Sequence, residues 1–86
     1  MWWVYIVECS DKSLYTGITT DTDRRVIEHN TSVKGAKYTR SKRPVSLVYK
    51  EQCENRSIAS KREHQIKKLK RTDKLLLVSK SNYEKR

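Results

Sequence analysis

Two short apolar phrases, Val4-Tyr5-Ile6 and Tyr15-Thr16-Gly17, each carry a tyrosine, and the two tyrosines stand ten residues apart. Arg25 follows Tyr15 by another ten, His29 lies four beyond Arg25, and Glu63 comes much later. These residue types could hydrolyse a phosphodiester. That reaction needs a water deprotonated near phosphorus, charge stabilisation on the phosphoryl oxygens and help for the leaving oxygen. An arginine offers phosphate a planar fork of donors that lysine cannot copy. One carboxylate, with waters and substrate phosphate completing the shell, suits Mg²⁺ or Mn²⁺. A phenol is the awkward member. With a pKa near ~10, only about one in a thousand is ionised at pH 7, which forfeits roughly 4 kcal/mol to a phenolate base. A tyrosine base is therefore expected either to have its pKa lowered by Arg25, a metal ion and nearby lysines, or to act on a water that the metal has already acidified. Each residue also has an ordinary reading. Strand tyrosines usually pack cores, and Glu63 could simply pair with Lys67 one helical turn on, worth a few tenths of a kcal/mol.

The elements that must position these groups can be read from pattern. Residues 2–8 are aromatic and β-branched, so they read as a strand. Ser10-Asp11-Lys12 is a turn signal, and residues 13–19 resume a strand. Side chains alternate along a strand, so Tyr5 and Tyr15 share a face only across an odd-numbered loop. The expected loop is Ser10 to Lys12, with Cys9 opposite Ser13. Thr20 and Asp21 are good N-cap types for a helix over about 22–30, which puts Arg25 and His29 on one face. Residues 31–43 form a basic loop with a brief helical turn around Tyr38, stopped by Pro44. Val45 to Glu51 reads as a third strand. A long helix is expected from Asn55 to Arg71, capped by Glu54 or Asn55. Its inward stripe would be Ile58, Arg62, Ile66 and Leu69, with Ala59 and Glu63 at the edge. Thr72 would cap a last helix to about Ser79. The order is strand-strand-helix-strand-helix-helix: class α+β, a small three-stranded antiparallel sheet with packed helices. Residues 1–80 are expected to form one domain, with 81–86 as a polar tail.

The whole resembles a GIY-YIG endonuclease domain. Val4-Tyr5-Ile6 corresponds to the first signature triplet and Tyr15-Thr16-Gly17 to the second, with Thr16 in place of the usual isoleucine. Thr19 to Asn30 is similar to the arginine-bearing helix, and Ala59 to Lys68 to the segment bearing the metal-binding glutamate. The likeness spans about residues 2–78. It is greatest to small stand-alone bacterial members and to the nuclease part of structure-specific DNA resolvases. It implies a catalytic set of Tyr5, Tyr15, Arg25, His29 and Glu63. Glu63 would hold Mg²⁺ or Mn²⁺, and either tyrosine could be the base; Tyr5 is the favoured one, with Tyr15 orienting water or phosphate. His29 would bond a tyrosine hydroxyl or the phosphate. Two positions depart from the pattern: Ile18 and Leu75 stand where some relatives carry lysine and asparagine. Leaving-group assistance would then be weaker, or come from Lys37 or Lys42.

Charge points to the same partner. Lys plus Arg number 20 against 10 acidic residues, a formal charge of +10 on 86 residues. Such a field seeks polyanions. Lys34, Lys37, Tyr38, Arg40 and Lys42 mix cations with an aromatic in the basic loop, and Lys67 and Lys70 belong to a later polybasic run. These seven are the candidate nucleic-acid contacts, by phosphate pairing and one stacked base. DNA is the expected substrate, branched or distorted and read with little sequence specificity, with RNA the lesser alternative. A protein partner could supply selectivity. The rival reading is a non-catalytic nucleic-acid-binding module that retains the fold. Cys9 and Cys53 lack metal-ligand spacing and are expected as reduced thiols. No apolar run approaches the ~18 residues of a membrane span. The cytoplasm is the expected compartment.

Overall fold

The computed structural model describes residues 1–32 and 34–81. Its elements are β1 (Trp2–Glu8), β2 (Leu14–Thr19), α1 (Thr22–Thr31), α2 (Lys37–Arg40), β3 (Ser46–Cys53), α3 (Arg56–Lys67) and α4 (Arg71–Ser81). The three strands form one antiparallel sheet in the order β2-β1-β3, so β1 is central. This is the expected α+β fold and element order, and the brief helical turn expected around Tyr38 is the four-residue α2. The expected tail falls, apart from Ser81, outside the described residues.

The hairpin has the odd loop that parity demands. Cys9 N–H donates to Ser13 C=O at 2.8 Å, leaving Ser10, Asp11 and Lys12 to turn the chain. Lys12 takes the left-handed conformation, φ 73°, that closes such a loop. Asp11 steadies it by accepting from the Ser13 N–H and hydroxyl. The register then pairs Val7 with Tyr15 and Tyr5 with Gly17. Both phenols therefore stand on one face.

Alternation along β1 divides the core in two. Val4 and Ile6 face α3 and α4, where they meet Tyr49, Cys53, Ala59 and Ile66. Tyr5 and Val7 face the opposite way and meet Cys9, Val45, Val26 and Tyr15. A bulge between Ile6 and Val7 places Val48 as an extra residue in β3. It sends Leu47 and Val45 to the α1 face and Tyr49 and Cys53 to the other. Both cysteines are buried free thiols.

Two expectations about the long helix change. Asn55 caps α3 by accepting from Ile58 N–H at 2.9 Å, as one alternative had it, but the helix stops at Lys67 rather than Arg71. At Lys68 the backbone N–H turns back to the Gln65 and Ile66 carbonyls, and the reversal lets Leu77 and Val78 of α4 pack on the same sheet face. α4 accordingly begins at Arg71, before Thr72. The inward stripe is also narrower. Ala59 and Ile66 are fully buried, while Ile58 and Leu69 are 43% and 36% exposed. Residues seven apart share a helix face, and Ile58 sits about 100° round from Ala59.

Candidate active site

His29 is the hub. It is completely buried, its Nε2 lies 2.7 Å from the Tyr5 hydroxyl, and its Nδ1 lies 2.9 Å from Thr39 Oγ1. The Tyr5 and Tyr15 rings both meet its imidazole edge-on, with centroids at 5.8 and 5.4 Å. Four of the five expected catalytic residues thus gather on one sheet face. α1 delivers His29 and Arg25 together because they are one turn apart, and Asp21 starts that helix by accepting from Arg24 N–H at 3.0 Å. Gly17 makes room. A Cβ there would stand 2.6 Å from the Tyr5 hydroxyl, so the phenol lies directly over the glycine of the second signature triplet.

Arg25 is held rather than loose. One guanidinium nitrogen, Nη1, donates to Glu28 at 2.9 Å and to the Lys34 carbonyl at 2.8 Å. Arg25 also lies close enough to Tyr5 for each to shift the other's titration. Glu28 pairs with Arg24 as well, at 3.5 Å, so it acts as an anchor for two arginines.

Glu63 arrives from the other side of the sheet. α3 packs against β1 and β2, and β2 is an edge strand. Glu63 is 22% exposed and pairs with Lys67 at 3.1 Å, the helix bridge that its sequence context suggested. Lys67 in turn brings Nζ to 5.9 Å from the Tyr15 ring centre, and the Glu63 charge is felt at Tyr5. The carboxylate is therefore partly sheltered and linked to the Tyr15 ring through Lys67. Among the described residues no three His, Cys, Asp or Glu side chains cluster to hold a metal. A single hard oxygen ligand with room for waters fits Mg²⁺ or Mn²⁺ and does not fit a closed zinc-type site.

The electrostatics reverse one expectation. Tyr5 has its pKa pushed up to about 12, chiefly because burial disfavours the phenolate; Arg25 opposes this but loses to burial, and Tyr15 and Glu63 add to the rise. His29 is pushed down to about 4 by burial, then by the Arg25 charge, with Arg43 adding to it and Glu28 opposing. Both partners of the 2.7 Å contact are neutral near pH 7. The phenol proton therefore stays on Tyr5, and the pair is a neutral hydrogen bond.

The basic loop also braces α1 from outside. Gly35 presses against α1, where a Cβ would come within 2.7 Å of the Glu28 carbonyl. Thr39 is fully buried against His29. Arg43 closes the C-terminal end of α1, donating to the His29 and Ser32 carbonyls. Asn30 clamps the start of β3 by exchanging two hydrogen bonds with the Val45 backbone, at 2.7 and 3.0 Å. None of these four was singled out from sequence. Gly17 opposite Tyr5 could have been, since the hairpin register already implied it.

The seven expected nucleic-acid contacts divide. Lys34, Lys37, Arg40 and Lys70 are exposed. Tyr38 stacks on Tyr15 at 5.8 Å and keeps 45% of its surface in solvent. Lys42 is tied to Asp11 at 3.1 Å and lies over the Tyr38 ring, and Lys67 is paired with Glu63.

Residues 1–76 match the GIY-YIG catalytic domain family. The chain belongs to that family. A UPF0213 protein of Desulfotalea psychrophila is 62% identical over 80 residues, covering 93% of this chain and 73% of its own. Among solved structures, the UPF0213 protein of Bacillus halodurans, determined by solution NMR, is 48% identical with a TM-score of 0.58, covering 92% of this chain and 84% of that one. A protein of E. faecalis, also solved by NMR, is 41% identical with a TM-score of 0.61, covering 98% and 88%. The family is one of nucleases, so its substrate is nucleic acid. Among the described residues no helix is long and apolar enough to cross a membrane.

Proposed function

We propose that this GIY-YIG protein is a metal-dependent DNA endonuclease that hydrolyses one strand at a time, on branched or distorted DNA and with little sequence preference. The observation that carries this reading is the gathering of Tyr5, Tyr15, Arg25 and His29 on one sheet face, which Glu63 of α3 reaches through its pair with Lys67 at the Tyr15 ring. Glu63 would hold Mg²⁺ or Mn²⁺. When bound, such a cation acidifies a coordinated water and offsets phosphoryl charge.

The chain's own groups have narrower tasks. Tyr5, neutral with a pKa of about 12, orients the attacking water and does not act as a free phenolate. At pH 7 that phenolate would cost about 7 kcal/mol. Tyr15 borders the same space and carries Tyr38 as a stacking surface for an unpaired base. Arg25, fixed at Nη1, offers its remaining donors to phosphate. Lys34, Lys37, Arg40 and Lys70 would track the DNA backbone, and Lys67 and Lys42 would join once phosphate competes for their carboxylate partners. Contacts made mainly to the phosphate backbone carry little sequence information, which supports structure-directed cutting, with a protein partner adding selectivity. RNA is the lesser substrate.

The test is incision of linear, nicked, flap and four-way DNA, with matched RNA hairpins, in Mg²⁺ or Mn²⁺. Wild type should cut in a cation-dependent way. Tyr5→Phe, Arg25→Ala and Glu63→Ala should each lose cutting by at least ~100-fold, as loss of a transition-state group does, while still binding DNA. Binding without incision on every topology would leave only a basic module that kept the fold.

A further inference from the structure

Thr39 lies in a stretch of cations, KYTR, yet it is one of the most deeply buried side chains in the molecule. Its hydroxyl makes two contacts. It donates to the Ala36 carbonyl at 3.0 Å and lies 2.9 Å from Nδ1 of His29. A hydroxyl has one proton. With that proton on Ala36, the Thr39 oxygen is left to accept, which favours the imidazole hydrogen on Nδ1. A neutral imidazole has one such hydrogen, which leaves Nε2 bare and facing the Tyr5 hydroxyl 2.7 Å away.

We propose that Thr39 is a positioning residue: it holds His29 as the Nδ1–H tautomer, so that Tyr5 donates to Nε2 and turns a lone pair, rather than its proton, toward the attacking water. This rests on the nuclease reading for its consequence, but the hydrogen-bond order itself does not. The Ala36 N–H is the competing partner of Nδ1, at 3.4 Å. Without Thr39 it would make Nδ1 an acceptor, move the imidazole hydrogen to Nε2 and force the phenol proton outward, where it blocks the water. The groups that face His29 are Tyr5, Tyr15, Arg25, Glu28 and Arg43. None of them can impose a tautomer on Nδ1.

His64 is exposed and lies outside this chain of contacts, so His64→Gln leaves His29 as the single histidine. Nitrogen-15 NMR of that protein near neutral pH should show hydrogen on Nδ1 and a bare Nε2. Thr39→Val should move the hydrogen to Nε2 and lower kcat for incision by at least ~10-fold with little change in KM for DNA. Thr39→Ser should restore both. Hydrogen on Nε2 in the Thr39 protein overturns the proposal, even if the valine variant does not fold. So does a valine variant whose tautomer and turnover are unchanged, or one whose tautomer flips with turnover intact. If Nδ1 carries the hydrogen but no substrate is cut, the tautomer assignment stands and the nuclease reading falls.

Discussion

The two faces of the sheet share one central strand and are built by opposite rules. Even-numbered residues of β1, Val4 and Ile6, enter a cluster with Ala59 and Ile66 in which burial is almost wholly apolar. Odd-numbered Tyr5 enters a face where His29 and Thr39 are fully buried and each polar atom finds a partner. Buried polar groups stabilise little on balance and penalise heavily when unpaired. The α3 face therefore holds the molecule together, and the α1 face holds a few groups in one geometry. Period-two alternation allows both tasks on seven residues of β1.

That contrast can be broken from either side. Ile66→Ala should have the largest effect, about 2–5 kcal/mol in urea unfolding, in a domain whose whole stability is about 5–10 kcal/mol. Any loss of cutting should then follow the unfolded fraction. Acid comes next and attacks the other face. His29 has its folded pKa at about 4, below the ordinary 6.5. The unfolded chain takes up that proton first, so stability falls as pH drops from about 6.5 to about 4 and then levels, a loss on the order of 3 kcal/mol. Asp11, held at about 2, and Glu28, also held low, release their contributions only below the ordinary carboxylate range. His29→Asn should flatten unfolding free energy between pH 6.5 and 4.5; a slope that survives would place the titration elsewhere.

Gly17→Ala should separate the two rules most clearly. The new Cβ must displace the Tyr5 phenol. Overpacking of this kind costs about 1–3 kcal/mol, yet incision should fall by far more than the remaining folded fraction explains. The smallest effect belongs to neither face. Lys42→Ala breaks an exposed tie to Asp11 and should change stability by less than about 1 kcal/mol.

How much of this could be read in advance varied with the range of the contact. The hairpin register, the Asp21 cap and the pairing of Arg25 with His29 follow from parity and helical spacing, and they suffice to put both phenols beside one histidine. The end of α3 did not follow. Nothing in Lys67-Lys68-Leu69-Lys70 breaks a helix, and the turn there is set by where α4 must lie. Ile58 and Leu69 were misplaced because a stripe as narrow as Ala59 and Ile66 gives little periodicity. Thr39, Gly35 and Arg43 act on α1 from 7 to 14 residues away, across a loop whose composition speaks only of charge. The sign of the Tyr5 shift was out of reach for a related reason. Counting nearby cations says nothing about how completely a ring is withdrawn from water.

The extra residue in β3 has one further meaning. Val48 is the point at which the strand changes allegiance, Tyr49 and Cys53 turning one way and Leu47 and Val45 the other. Removing it would let Leu47 follow Tyr49 directly, still opposite Val7, in a straight ladder. A deletion at Lys50, by contrast, would set the residues on one side of it against the alternation of the sheet. At Val48 it would take away a kink, so the chain can be shortened there by one residue and still keep its wet side and its dry side apart.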